Sequence, residues 1–182
     1  MQRRGKSARF SLFKPKPAPD GPVVFESDIE IERPAGDVYA MLDFADARCW
    51  KKETGRVERT GETTFDMVLD FLPDITFHLD VHKQEPGTLY AFDTSSDEKI
   101  GRLVSSSESY EIEALADDRC RVTLVCVAQF DPGMTKRDWE QEVQMMAGGV
   151  NIALGKLKVH AEEGVEAIRE IEAMQMAEPI KH

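Results

Sequence analysis

From Thr135 onward the chain commits to one long amphipathic helix, after a series of segments patterned as strands. Thr135 suits the N-cap, where its side-chain oxygen takes a free backbone N–H, and Asp138 stands at the return position of a capping box. Met134 and Trp139 bracket this start as a hydrophobic staple would. At about 100° per residue, Trp139, Val143, Met146, Ala147, Val150, Ala153, Leu154, Leu157 and Ala161 fall on one arc, with Glu140, Gln144, Lys156, Glu162 and Glu163 outside it. A single apolar stripe following strands needs a sheet to lie on. The space between the two is the place to look for function.

The 182 residues allow one domain with a sizeable core, plus tails. Charged residues make up 31% of the chain, and no apolar run approaches the ~18 residues of a membrane span. The basic N-terminus lacks the apolar region of an export signal, and Arg3-Arg4 is not followed by one either. Cys49, Cys120 and Cys126 are odd in number and lack zinc-site or C-x-x-C spacing, which fits reduced thiols in the cytoplasm. Charge is unevenly spread. Residues 1–20 hold Arg3, Arg4, Lys6, Arg9, Lys14 and Lys16 against Asp20 alone, so the rest must carry −16 for the total to be −11. Such an acidic body repels phosphate backbones and is a poor partner for nucleic acid.

Three regions follow. Residues 1–22 read as a disordered basic leader with Phe10, Leu12 and Phe13 as its greasy positions. Residues 23–163 form the domain, and 164–182 a helical extension and tail. Within the domain, Val23, Phe25, Ile29 and Ile31 alternate with acidic residues as a half-buried strand. Pro34 opens a short helix containing Val38, Tyr39, Met41 and Leu42, and a second short helix over 45–52 carries Trp50 inward. Strands are expected at 56–60, 64–71, 75–83, 89–94, 103–115 and 121–130, with turns at Gly61-Glu62, Pro73-Asp74, Glu85-Pro86-Gly87 and Asp117-Asp118. Short turns between successive strands imply an antiparallel meander with one dry face. Val165, Ile168, Ile171 and Met174 continue an apolar pattern past Gly164. That extension either packs on the domain or pairs with a second chain, and the leader (1–22) or residues 164–177 would serve a homo-oligomer or protein partner.

The order of strand, two short helices, six strands and a long terminal helix is that of the helix-grip fold. Ile29-Glu30-Ile31-Glu32-Arg33-Pro34-Ala35-Gly36-Asp37-Val38-Tyr39-Ala40-Met41-Leu42 resembles the opening of the START-like (SRPBCC) superfamily, which includes birch-pollen-allergen-like, polyketide cyclase/dehydrase and lipid-transport proteins. Trp50, the turn Gln84-Glu85-Pro86-Gly87-Thr88-Leu89, and the hairpin of Tyr110–Ala114 with Arg121–Leu124 are similar to further marks of that group. The resemblance covers about residues 23–163. It implies an α+β fold, a seven-stranded curved antiparallel sheet gripping a C-terminal helix over an apolar cavity. It also implies a small hydrophobic ligand, and it supplies no universal catalytic residue. Asp118-Arg119-Cys120 replaces the usual Gly-Thr before the last strand, so no subfamily is selected.

The expected ligand contacts are Tyr39, Trp50, Met67, Phe77, Tyr90, Phe92, Tyr110, Met146 and Val150, each of which could equally be plain core. Glu108 is the weak catalytic candidate. Counting back from Tyr110 and Ile112 places it inward, where burial would raise its pKa and suit it to proton transfer in a cyclase or dehydratase, whereas Leu103 has the opposite parity. His78, Asp80 and His82 share one strand side, but Phe77, Leu79 and Val81 claim the buried one. No metal or cofactor is therefore expected. Gly148-Gly149 interrupts the long helix either as a soft spot or to admit a close neighbour. Binding of a small hydrophobic molecule is the leading reading, with an enzyme or a non-catalytic interaction protein as alternatives.

Overall fold

The computed structural model of the protein describes residues 16–177. The alternating segment Val23–Ile31 is a strand, β1, with Phe25 and Ile31 buried and the acidic residues between them in solvent. Six further strands follow: β2 (Gly55–Arg59), β3 (Thr64–Leu69), β4 (Leu72–Glu85), β5 (Leu89–Ser96), β6 (Leu103–Ala116) and β7 (Arg119–Phe130). All pair antiparallel in the order β1-β7-β6-β5-β4-β3-β2, so the first strand closes against the last. Register shifts between Val81 and Lys83, between Leu103 and Ser105, and between Ala114 and Ala116 mark bulges. Each bulge adds local bend and twist, which curves the sheet.

Two connections differ from the sequence expectation. The β3–β4 turn is Asp70-Phe71 rather than Pro73-Asp74, with Leu69 paired to Leu72. Asp70 donates its N–H to Thr54 O at 3.0 Å, which ends β3 there and leaves Phe71 44% exposed in the turn. Helix α1 (Ala35–Leu42) forms as expected, but the second short helix shrinks to one 3-10 turn, Trp50–Lys52. The carboxylates of Asp43 and Asp46 accept the N–H groups of Ala45 and Arg48, each at 2.9 Å. Such side-chain bonds offer the backbone an alternative to helix.

The long helix α2 spans Lys136–Glu163, and Thr135 Oγ1 accepts the Asp138 N–H at 3.2 Å. Its two halves are held differently. Val150, Leu154, Leu157 and Ala161 are buried, whereas Trp139, Val143, Met146 and Ala147 are only half-buried. The C-terminal half is bolted to the end of β1. Glu32 N–H donates to Glu162 Oε1 (2.7 Å), Arg33 Nε to Ala161 O (2.7 Å) and Lys158 Nζ to Glu30 O (2.7 Å). β1 and β7 are its main supports in the sheet. At Gly148 and Gly149 an added Cβ would meet nothing within 4 Å, so no close neighbour requires either glycine.

Gly164, at φ +93°, ends α2 in a conformation that glycine adopts without strain. Helix α3 (Val165–Ala177) then packs back on α2, with Ile168 wholly buried. Lys156 Nζ meets Glu172 Oε1 at 2.6 Å, both side chains about 10% exposed. The extension therefore packs on its own domain. The leader also differs from expectation where it is described. Pro17 bridges Thr135, Ala18 N–H donates to Met134 O and Lys136 N–H to Lys16 O, so residues 16–18 are tied to the start of α2. The rest of the predicted leader lies outside the described residues.

Removing one member of a buried ion pair strands the other charge. Glu172→Ala should therefore cost about 3–5 kcal/mol, read as a lowered urea midpoint with an unchanged slope.

Candidate ligand-binding site

The sheet register builds the site. On the helix-facing side, Thr94 lies opposite Ser106 and Ser106 opposite Ala128; one row on, Phe92 faces Glu108 and Glu108 faces Cys126. Tyr90, Tyr110 and Leu124 form the next row. Glu108 thus points inward with Tyr110 and Ile112. The bulge between Leu103 and Ser105 lies before Ser106, so the parity of Leu103 says nothing about Glu108.

Glu108 Oε2 accepts a hydrogen bond from the Tyr110 hydroxyl at 3.1 Å. Burial raises the Glu108 pKa, and the charge of Lys51 with the tyrosine bond opposes that rise. Tyr110 is pushed well up, by burial first and then by the neighbouring carboxylate. Lys51, on the 3-10 turn, holds its ammonium 4.0 Å from the centre of the Trp50 ring. Burial pulls its pKa down and Glu108 is the charge that most opposes this. Both side chains lie deep in the protein yet keep some accessible surface.

A pocket of about 300 Å³ is walled by Trp50, Lys51 and Thr54 beside the 3-10 turn, Leu69 and Phe71 at the end of β3, Gly149, Ile152, Ala153 and Lys156 of α2, and Glu172 of α3, and it opens to solvent at the exposed Phe71 and Ile152. No hydrogen bond from Lys51 Nζ is found among the described residues, whereas Lys156 is satisfied by Glu172. An unshared ammonium in an apolar pocket is a donor for whatever enters.

Of the residues expected at the site, Trp50 lines this pocket. Tyr90 has no accessible surface; its hydroxyl accepts Phe44 N–H at 3.0 Å and lies 3.4 Å from Asp43 Oδ1. It therefore props the segment after α1 and packs rather than lines open space. Tyr39 meets it edge-on at 5.9 Å, and Phe92 stacks on Tyr110 at 6.2 Å. Phe44, which the sequence reading passed over, packs among Phe65, Tyr90 and Phe92. Met67 and Val150 are buried core, while Phe77 and Met146 are half-buried against it. Of the nine expected contacts, Trp50 alone is in the lining of the pocket beside Lys51.

The outward strand residues diverge. His78 Nδ1 lies 2.8 Å from Asp66, His82 Nδ1 lies 3.8 Å from Asp93, and Asp80 accepts the Thr63 hydroxyl at 2.8 Å. His160 is buried in α2 with Nδ1 unpartnered among the described residues, and burial lowers its pKa. Sequence reasoning missed Lys51. A lysine beside a tryptophan reads as the solvated face of a short helix, and only the tertiary fold shows its depth.

Among solved structures, the chain is similar to DynU16, from the dynemicin biosynthetic locus (TM-score 0.58, 17% identity over 78% of this chain). The chain spans 48% of DynU16. The ZhuI aromatase/cyclase from Streptomyces sp. R1128 matches at TM-score 0.54 and 14% identity, over 77% of this chain and 96% of that one. Ara h 8.0201 matches at TM-score 0.56 and 12% identity, over 85% and 99%. The fold is the START-like helix grip. No family model and no curated protein matches the chain. No described helix is long and apolar enough to cross a membrane.

The raised Glu108 pKa has a signed consequence. A carboxyl whose folded pKa exceeds its unfolded value of about 4.3 contributes stability below that value and loses it as pH rises through the folded pKa. Glu108→Gln should flatten this decline, so the urea midpoints of the two proteins diverge as pH is raised above about 4.3.

Proposed function

We propose that the protein binds a small, mostly apolar molecule carrying one acceptor or anionic group. The apolar body lies against Trp50, Leu69 and Ala153, and the polar end meets the Lys51 ammonium. The observation that carries this reading is that ammonium, lining an apolar pocket and lacking an acceptor among the described residues. A volume of about 300 Å³ is at the small end of the ~300–1,000 Å³ usual for ligand sites. A compact ring system suits it better than a long-chain lipid. Phe71 and Ile152, both exposed and both lining the pocket, mark its mouth. The fold shared with an aromatase/cyclase supports a hydrophobic cargo. A reducing compartment such as the cytoplasm suits the three buried, free thiols.

Native mass spectrometry of the purified chain should show a co-purifying molecule. A defined probe pair, 2-naphthoate and naphthalene, tests the polar end by calorimetry. The carboxylate should bind more tightly, and Lys51→Met should weaken it by about tenfold or more, since a hydrogen bond to a charged group is worth ~1.5–3 kcal/mol. Equal affinity in wild type and Lys51→Met would remove the reading.

A second reading, an acid–base enzyme of the cyclase or dehydratase kind, is favoured by the Glu108–Tyr110 hydrogen bond and the raised Glu108 pKa. It requires that Glu108→Gln lose turnover of an identified ligand while retaining its binding; unchanged turnover would exclude it.

A further inference from the structure

Two lysines stand side by side on the 3-10 turn, and the fold treats them differently. Lys52 Nζ donates to Asp46 O at 2.9 Å. On α2, Lys156 is matched by Glu172, and Lys158 by Glu30 O and Glu162. Lys51 alone of these four has no hydrogen-bond acceptor for Nζ among the described residues. It lines the pocket with Trp50, Leu69 and Ala153. Its side chain is half-buried and the pocket opens at Phe71 and Ile152, so a molecule from solvent reaches the amine.

The amine that donates a hydrogen bond when protonated is a nucleophile when neutral. An apolar pocket and a second cation nearby both favour the neutral form of a lysine, and both are present here. Burial pulls the Lys51 pKa below the ordinary lysine value, against Glu108 of β6, Cys49 and Glu172 of α3, while the Lys156 ammonium of α2 adds to the fall. The natural partner of a neutral amine is a carbonyl carbon. A neutral carbonyl compound also enters such a pocket more readily than a carboxylate, which must shed the water around its charge.

We infer that Lys51 captures a small ring-bearing aldehyde or ketone as a Schiff base, which rests on the reading of this pocket as the site for a compact ring with one acceptor group. The Nζ lone pair forms the C–N bond while the carbonyl π pair moves to oxygen. The two protons of the neutral amine leave with that oxygen as one water, and the imine remains. No electrons are exchanged with a third compound, and hydrolysis reverses the step. The protonated imine is again a cation. The Trp50 ring, whose centre lies 4.0 Å from Nζ, faces it as it faces the ammonium.

The test treats the full chain at neutral pH with 2-naphthaldehyde and cyanoborohydride, which reduces the imine to a stable secondary amine, and locates the adduct by peptide mass mapping. Lys51 should be labelled several-fold faster than the exposed Lys99 and Lys136. Its labelling should slow several-fold when 2-naphthoate, which cannot condense with an amine, is present in excess. Lys51→Arg keeps a cation in place, so it should retain naphthoate binding in calorimetry and lose the fast-labelled site. Labelling of Lys51 no faster than that of Lys99 and Lys136, or indifferent to naphthoate, would overturn the inference. Naphthoate bound by the wild type with Lys51 unlabelled would remove the Schiff base and leave the binding reading standing, whereas failure of naphthoate and aldehyde alike would remove both.

Discussion

The hydrogen bonds between the end of β1 and the last turns of α2 hold the architecture together. They join positions up to 130 apart in sequence, Glu32 to Glu162 among them, and they act where β1 is already zipped to β7. The closure fixes which part of α2 is rigid. Val150, Leu154, Leu157 and Ala161 sit tightly because the backbone of β1 grips the same turns, while the stripe from Trp139 to Ala147 is left half-covered. The difference between the halves thus comes from where polar clamps exist, since both carry apolar residues on the same arc.

The interior holds two lysines and two glutamates, and their contrast separates support from chemistry. Lys156 and Glu172 touch at 2.6 Å and satisfy each other, joining α2 to α3. Lys51 and Glu108 sense each other without forming such a contact; Lys51 lines the pocket, while Glu108 accepts the Tyr110 hydroxyl. A buried charge with a tight partner is spent on packing; one that is held nearby but not matched retains the capacity to bind. The Trp50 ring under the ammonium supplies part of what water would have given.

Much of the fold was legible because it rests on periodicity. The alternation in Val23–Ile31 and the stripe on α2 each need one face covered, and pairing β1 with β7 and laying α2 across them meets both needs. Three features escaped for distinct reasons. Asp43 and Asp46 divert the backbone through side-chain bonds, and apolar pattern does not report those. Phe71 looks like a continuing strand residue, but the Asp70 bond to Thr54 depends on a segment brought back by the fold. Lys51 gained its depth from Trp50, α2 and Glu108 together, a combination visible only in three dimensions. Glu108 could be placed inward by counting because its strand is regular from Ser106 onward, once the bulge is set aside.

Gly148 and Gly149 fall where the clamped half of α2 gives way to the looser half. The arm before them is held at its own start by residues 16–18, so α2 is a beam supported at both ends and thinnest near its middle. Any bending of that beam would fall at the paired glycines, where helix propensity is lowest.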